Sequence, residues 1–193
     1  MIACALAKLY GCSTKDFIPT QVRHRGSITR SRKNKANFSE SKNKEFVNFC
    51  KATGLRRHEL VKLKPENLGF SRAMGGYVIM GLKGKGGRIR EAPILCYKAV
   101  ERIKNTPAGQ NVWDKIPSRA DNHSYRADYC KTIYNLYARP ISEIPKKDRY
   151  HCRNDLKGVT YDKRAMRIVS NALGHNRISV IAGHYLYGGG GLP

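Results

Sequence analysis

The chain has 193 residues, 40% of them hydrophobic, with 37 Lys and Arg against 14 Asp and Glu, a formal charge of +23. That suits one ordinary domain with a short appendage, and no stretch approaches the roughly 20 consecutive apolar residues of a membrane span, so a membrane-spanning protein is not expected. Such an imbalance repels itself in a compact state and is relieved by a polyanion, so DNA or RNA held through its phosphates is the expected partner, with a membrane surface well behind.

Taken in chain order, residues 1–12 read as a short helix ending near Gly11. The opening Met-Ile-Ala-Cys-Ala-Leu-Ala lacks the basic start of a signal peptide, and a cytoplasmic, nucleoid-associated protein is expected. Residues 13–38 are polar and basic, an arm or linker in which Arg30, Arg32 and Lys33 can lie along a phosphate backbone. Ser39 begins a helix whose apolar face is Phe46, Val47, Phe49 and Cys50, and Gly54 ends it. A second helix runs from about Arg56 to Leu63, before Pro65. Gly75-Gly76 opens a strand over Tyr77 to Met80; Gly84-Lys85-Gly86-Gly87 turns the chain, and Arg88 to Leu95 returns as its partner.

A helix from about Tyr97 to Lys104 follows, then a loop from Pro107 to Pro117. From Asn122 to Tyr137 the spacing of Tyr125, Tyr129 and Ile133 predicts a longer helix, its aromatic stripe turned to the core. Pro140 and Pro145 bracket a loop, and Asn154 to Gly158 reads as a loop or small turn. Asp162 to Leu173 is a strongly apolar helix capped by Gly174, and a last short helix spans about Ser179 to Tyr185. The expected class is α+β, mainly helical with a small antiparallel β-hairpin or sheet. Six scattered cysteines form no Cys-x-x-Cys pair, so no metal site is expected, and nothing in the chain asks for a cofactor.

Four separated segments hold side chains suited to displacing a phosphodiester. The first is Thr53-Gly54-Leu55-Arg56-Arg57-His58-Glu59-Leu60, where Arg56 opens a helix beside free backbone amides. Glu59 reads as a structural partner orienting Arg56, and Arg57 as facing solvent or phosphate. The second is Gly84-Lys85-Gly86-Gly87-Arg88-Ile89-Arg90-Glu91-Ala92-Pro93, whose hairpin-tip lysine can give a proton to a leaving oxygen. The third is Tyr150-His151-Cys152-Arg153. The fourth is Leu173-Gly174-His175-Asn176-Arg177-Ile178, followed by His184-Tyr185-Leu186-Tyr187. His24 and His123 read as ordinary polar surface residues.

Thr-Gly-Leu-Arg-x-x-Glu-Leu, Gly-Lys-Gly before an Arg and a Pro, an Arg in a His-x-x-Arg-type box, and Leu-Gly-His before a Tyr together resemble the tyrosine recombinases, or phage-type integrases. They occur in that family's order over roughly residues 39–187. The resemblance implies the catalytic-domain fold of that family over 39–193, with 1–38 a remnant helix and basic arm. It implies Arg56 and Arg153 as the two catalytic arginines, Lys85 as the hairpin lysine, His175 as the late histidine and Tyr185 as the nucleophile. In such enzymes the tyrosine attacks the scissile phosphate, leaving a 3′-phosphotyrosine and a free 5′-hydroxyl, and a second strand reverses the linkage.

The position three before Arg153 is Tyr150, with His151 one place off, so both stand as further candidates and His175 as the preferred base. Tyr187, two residues beyond Tyr185, is the alternative nucleophile. Lys83, Arg88 and Arg177 are expected on the DNA with the arm residues. The implied partner is double-stranded DNA, bound by a homo-tetramer when active. The alternatives are a truncated or inactive basic DNA-binding protein and, further off, an RNA- or ribosome-binding protein.

Overall fold

The computed structural model describes residues 2–16, 38–84, 87, 89–175 and 177–186. By its contacts the chain divides into two units, Met1–Ser31 and Arg32–Pro193, and each is described by itself. In the first, helix α1 (Ile2–Tyr10) is followed by a 3₁₀ turn at Thr14–Asp16. Asp16 closes that turn by accepting from the Ser13 amide at 2.8 Å. Among the described residues no helix is long and apolar enough to cross a membrane.

The second unit is α+β, mainly helical with a small antiparallel sheet. Helix α2 (Lys44–Thr53) buries Phe46, Val47, Phe49 and Cys50, the face expected from the sequence. It ends on Gly54, whose φ of 59° is left-handed and whose amide returns to the Cys50 carbonyl at 2.9 Å. Only glycine takes that turn without strain. Helix α3 (Arg57–Val61) is shorter than the expected run to Leu63, because Lys62 leaves the helical register and Leu63 turns inward instead. The Leu63 carbonyl then accepts the Val112 amide at 2.8 Å.

Strands β1 (Leu68–Ser71), β2 (Gly76–Lys83) and β3 (Ile89–Pro93) form an antiparallel sheet in that order. The β2–β3 hairpin was expected, whereas β1 was not. A register shift between Ile79 and Leu82 falls at Gly81, with φ 69°. Helices α4 (Tyr97–Lys104) and α5 (Asn122–Tyr137) stand where the sequence put them, and Asp121 caps α5 by accepting from the Ser124 amide at 3.1 Å.

After α5 the chain makes a second hairpin, β4 (Arg149–His151) against β5 (Thr160–Asp162), where only a loop was expected. Its connection holds a 3₁₀ turn at Asn154–Leu156, the small turn anticipated there. Asp162 is fully buried. It caps helix α6 (Lys163–Leu173) through the Arg164 amide and pairs with Arg139 Nε at 2.7 Å and Nη2 at 2.9 Å. The chain ends its described course in α7 (Ile178–Ile181) and a π-helical turn, Ala182–Leu186.

Two apolar clusters make the core. Phe46 and Phe49 meet Trp113 edge-on at 5.1 and 5.4 Å, pairs worth about 0.5–1.5 kcal/mol each beyond their buried area. That cluster runs through α2, α3, the sheet and α4 to Tyr125. The other begins at Tyr129 and takes in α6, the second hairpin and the end of the chain. Helix α5 therefore belongs to both, and the residue next to Tyr125 on its buried face is not apolar. It is Arg126, 2% exposed.

Candidate functional site

A guanidinium in a core must find acceptors or leave them wanting. Arg126 donates through Nη1 to the Gly54 carbonyl and through Nη2 to the Leu173 carbonyl. Its Nε donates to the phenol oxygen of Tyr185 at 3.4 Å. All three acceptors lie at interruptions of helix geometry: the end of α2, the end of α6 and the π turn. Such places leave main-chain groups without helical partners, and here side chains take them up.

Arg56 occupies the N-cap of α3 in extended conformation. Its Nη2 donates to the same Leu173 carbonyl at 3.3 Å and its Nη1 to Glu59 Oε1 at 3.2 Å. Glu59 is buried and closes a capping box by accepting the Arg56 amide at 2.7 Å, the structural role expected of it. Its Oε2 also receives Arg90 Nη2 at 2.7 Å, and Arg90 Nη1 donates to the Ala172 carbonyl. One carboxylate thus braces two arginines, and three guanidiniums gather at the end of α6.

His175 follows the left-handed Gly174, with φ 67°. Its backbone is fixed from both sides: its amide donates to the Ser170 carbonyl at 2.8 Å, and its carbonyl accepts from Ser170 Oγ at 2.9 Å. Its Nε2 lies 3.1 Å from the Tyr185 phenol oxygen, with ring centroids 5.4 Å apart. Partial burial, then the charges of Arg126, Arg56, Arg90 and His184, pull the imidazole from its usual 6.5 down to about 4. It is neutral near pH 7, able to accept a proton or share one with the phenol. Burial likewise pulls Arg90 down to about 10 against the opposing pull of Glu59, and lowers Arg126.

Three guanidiniums against one carboxylate leave an excess of two positive charges in a partly desolvated space. Like charges so gathered repel one another more strongly there than in water; Arg56 and Arg126 weaken the hold of Arg90 on its proton, and Arg56 that of Arg126. Carbonyl dipoles offset part of this repulsion. An anion with several oxygens would offset more, and it would find a neutral imidazole and a phenol in the same place.

Of the residues singled out in the sequence, the structure brings Arg56, His175 and Tyr185 together. It does not add Arg153, which is exposed on the loop after β4 and makes none of the hydrogen bonds described above. The arginine that stands beside Arg56 and Tyr185 is Arg126. Tyr150 is half-buried and packs on the second apolar cluster, while His151 is exposed with Nδ1 3.0 Å from Thr160 Oγ1, so neither joins the site. Lys83 is exposed at the end of β2 and Arg177 at the start of α7. Lys85, Arg88, Tyr187, Arg30, Arg32 and Lys33 lie outside the described residues. Arg57 is exposed, as expected, and its guanidinium also holds a loop, donating to the Pro117 and Ile116 carbonyls at 2.8 and 3.0 Å.

Sequence reading missed Arg126 although a signal was present. His123-Ser124-Tyr125-Arg126 has a histidine three places before an arginine, the very spacing lacking at Tyr150 and Arg153. Arg90 carried no such signal beyond its place in a strand after the glycine turn. Comparison of the chain with protein families, curated proteins and solved structures finds no match to any of them.

Proposed function

We propose that the chain is the catalytic domain of a tyrosine-type DNA strand transferase, a site-specific recombinase or integrase, with Arg126 rather than Arg153 as its second arginine. The observation that carries this reading is the convergence of Arg56, Arg126, His175 and Tyr185, contributed by segments as far apart as residues 56 and 185, around one pair of acceptors. The four-part resemblance in the sequence supports the same assignment.

In this reading Arg56 and Arg126 hold the non-bridging oxygens of the scissile phosphate and neutralise the charge that builds there. Tyr185 passes its phenol proton to His175 Nε2, and its oxygen attacks phosphorus as the bond to the 5′ oxygen breaks. Lys85 delivers a proton to that leaving oxygen. The product is a 3′-phosphotyrosine and a free 5′-hydroxyl, which store the bond for rejoining. Glu59 and Arg90 hold Arg56 and the end of α6 in place. Double-stranded DNA is the substrate, and assembly as a homo-tetramer on two sites belongs to the same reading.

The test uses a duplex nicked just beyond the cleavage point, so that a short fragment diffuses away and traps the adduct. A covalent protein–DNA band on denaturing gels, formed in the presence of chelator and lost in Tyr185→Phe, is the expected result. Loss in Tyr187→Phe with retention in Tyr185→Phe would move the nucleophile. Salt-sensitive binding without any adduct would reduce the protein to a DNA-binding one, and preference for structured RNA would remove the reading altogether.

A further inference from the structure

Outside the site, the strongest unassigned feature is a cationic stripe along α6. Lys163, Arg167 and Asn171 are spaced by four, so they share one face of the helix. At one end Lys163 Nζ donates to the Lys147 carbonyl at 2.8 Å, tying the stripe to the segment that leads into β4. At the other, Arg167 and Asn171 line a cleft of about 460 Å³ between α6 and α7, with Arg177 and Ser179 opposite and His175 at its edge. Arg167, Asn171, Arg177 and Ser179 are exposed, and the cleft has no carboxylate among the described residues that line it.

The neighbouring acids do not neutralise this face, because they are already committed. Asp162 is buried under Arg139 and the α6 amides, and Asp148 takes Arg139 Nη2 at 3.2 Å. Arg139, half-buried, pairs with both. The acids here are thus taken up, while Lys163, Arg167 and Arg177 have no ion pair among the described residues. Such an unneutralised face attracts a regularly spaced polyanion and can position it.

We infer that the Lys163–Arg167–Asn171 face, with Arg177 across the cleft, holds consecutive phosphates of one DNA strand leading away from the phosphate at His175. This rests on the reading of the site given above and extends it to the flanking duplex. From Lys163 to Asn171 the helix rises roughly 12 Å, which beside a duplex covers about three phosphates of one strand at roughly 3.4 Å of axis each. Arg167 and Arg177 grip by charge and fork geometry, Asn171 and Ser179 by hydrogen bonds, and none of these contacts reads bases. The interaction is therefore sequence-independent and sets register, not specificity.

The test is the salt dependence of binding of the whole chain to a fluorescent DNA duplex. Neutralising Lys163, Arg167 and Arg177 together to Gln is expected to lower the slope of log affinity against log salt by roughly 2–3, at about 0.9 per phosphate contact. Neutralising three exposed lysines elsewhere, Lys98, Lys104 and Lys115, is expected to leave the slope nearly unchanged. Arg167→Gln alone carries the same test at one charge, should the triple variant fold poorly. Equal slopes for the two triple variants overturn the proposal. A lowered slope in a protein that never forms the Tyr185 adduct keeps the phosphate track and removes the cleavage reading; an adduct with equal slopes does the reverse.

Discussion

Arg126 touches the Tyr185 phenol through Nε at 3.4 Å while its two terminal nitrogens hold the carbonyls of Gly54 and Leu173. A buried arginine so held cannot be a surface charge, and its one side-chain hydrogen-bond partner among the described residues is the proposed nucleophile.

Arg126→Lys keeps the charge but loses the fork, and is expected to lower adduct formation by roughly 100- to 1000-fold, the loss typical of a donor aimed at developing charge. Arg153→Ala should stay within about threefold of the parent at saturating DNA. Single-turnover adduct yield decides between them, and a larger loss at Arg153 would restore it as the second arginine.

The depressed pKa of His175 makes stability depend on pH. The unfolded imidazole takes its proton near 6.5 and the folded one only near 4, so the unfolded state binds more protons in that window. Stability attributable to His175 is full above pH 6.5, declines as pH falls toward 4, and is lost below. Melting temperatures across that range should fall in the parent and fall less steeply in His175→Gln. Parallel profiles would mean that the imidazole titrates normally.

Gly54 combines a φ of 59° with a close approach to Tyr129, whose Cδ1 would lie 2.2 Å from an added Cβ. The obstacle is a fully buried ring whose hydroxyl donates to the Pro93 carbonyl, so it cannot swing aside cheaply. Gly54→Ala should therefore cost well beyond the roughly 1 kcal/mol of a left-handed alanine alone, and it should displace the carbonyl that holds Arg126. Denaturant midpoints measure the first effect and adduct yield the second; a change under about 1 kcal/mol would show that the ring gives way.

Burial pushes the thiols of Cys50 and Cys130 up to about 12, while Cys4, Cys12 and Cys96 are exposed. At pH 8 a thiol reagent such as dithionitrobenzoate is expected to modify the exposed three rapidly in the native protein, with Cys50 and Cys130 reacting only after unfolding. Rapid native labelling at Cys50 would mean that the α2 face opens readily.

The helices were legible because amphipathic spacing extends over several turns, as in α5 and α6. The strands of three or four residues were not: β1, β4 and β5 are too short to show alternation and are fixed by the partners they pair with. In the site, the segments around Arg56 and His175 were readable from local motifs. Arg126 was hidden by its surroundings. Flanked by Tyr125 and Tyr129 on a helix, it interrupts an apolar stripe, and such an interruption reads as a boundary unless its acceptors are known. Those acceptors are main-chain oxygens at residues 54 and 173, which no side-chain pattern marks. Arg153 drew the assignment because it stands two residues after a histidine, but it is exposed while its loop neighbours Cys152 and Leu156 are buried.

The Leu173 carbonyl accepts from Arg56 and Arg126 at once, and a carbonyl has two lone pairs to give. In the proposed function, an approaching phosphate would therefore not have to strip that oxygen bare. Arg56, the more exposed of the two, would be the one to turn to the phosphate, while Arg126 keeps the carbonyl occupied. The pair works as two hands on a single rail, and the rail is the last turn of a helix.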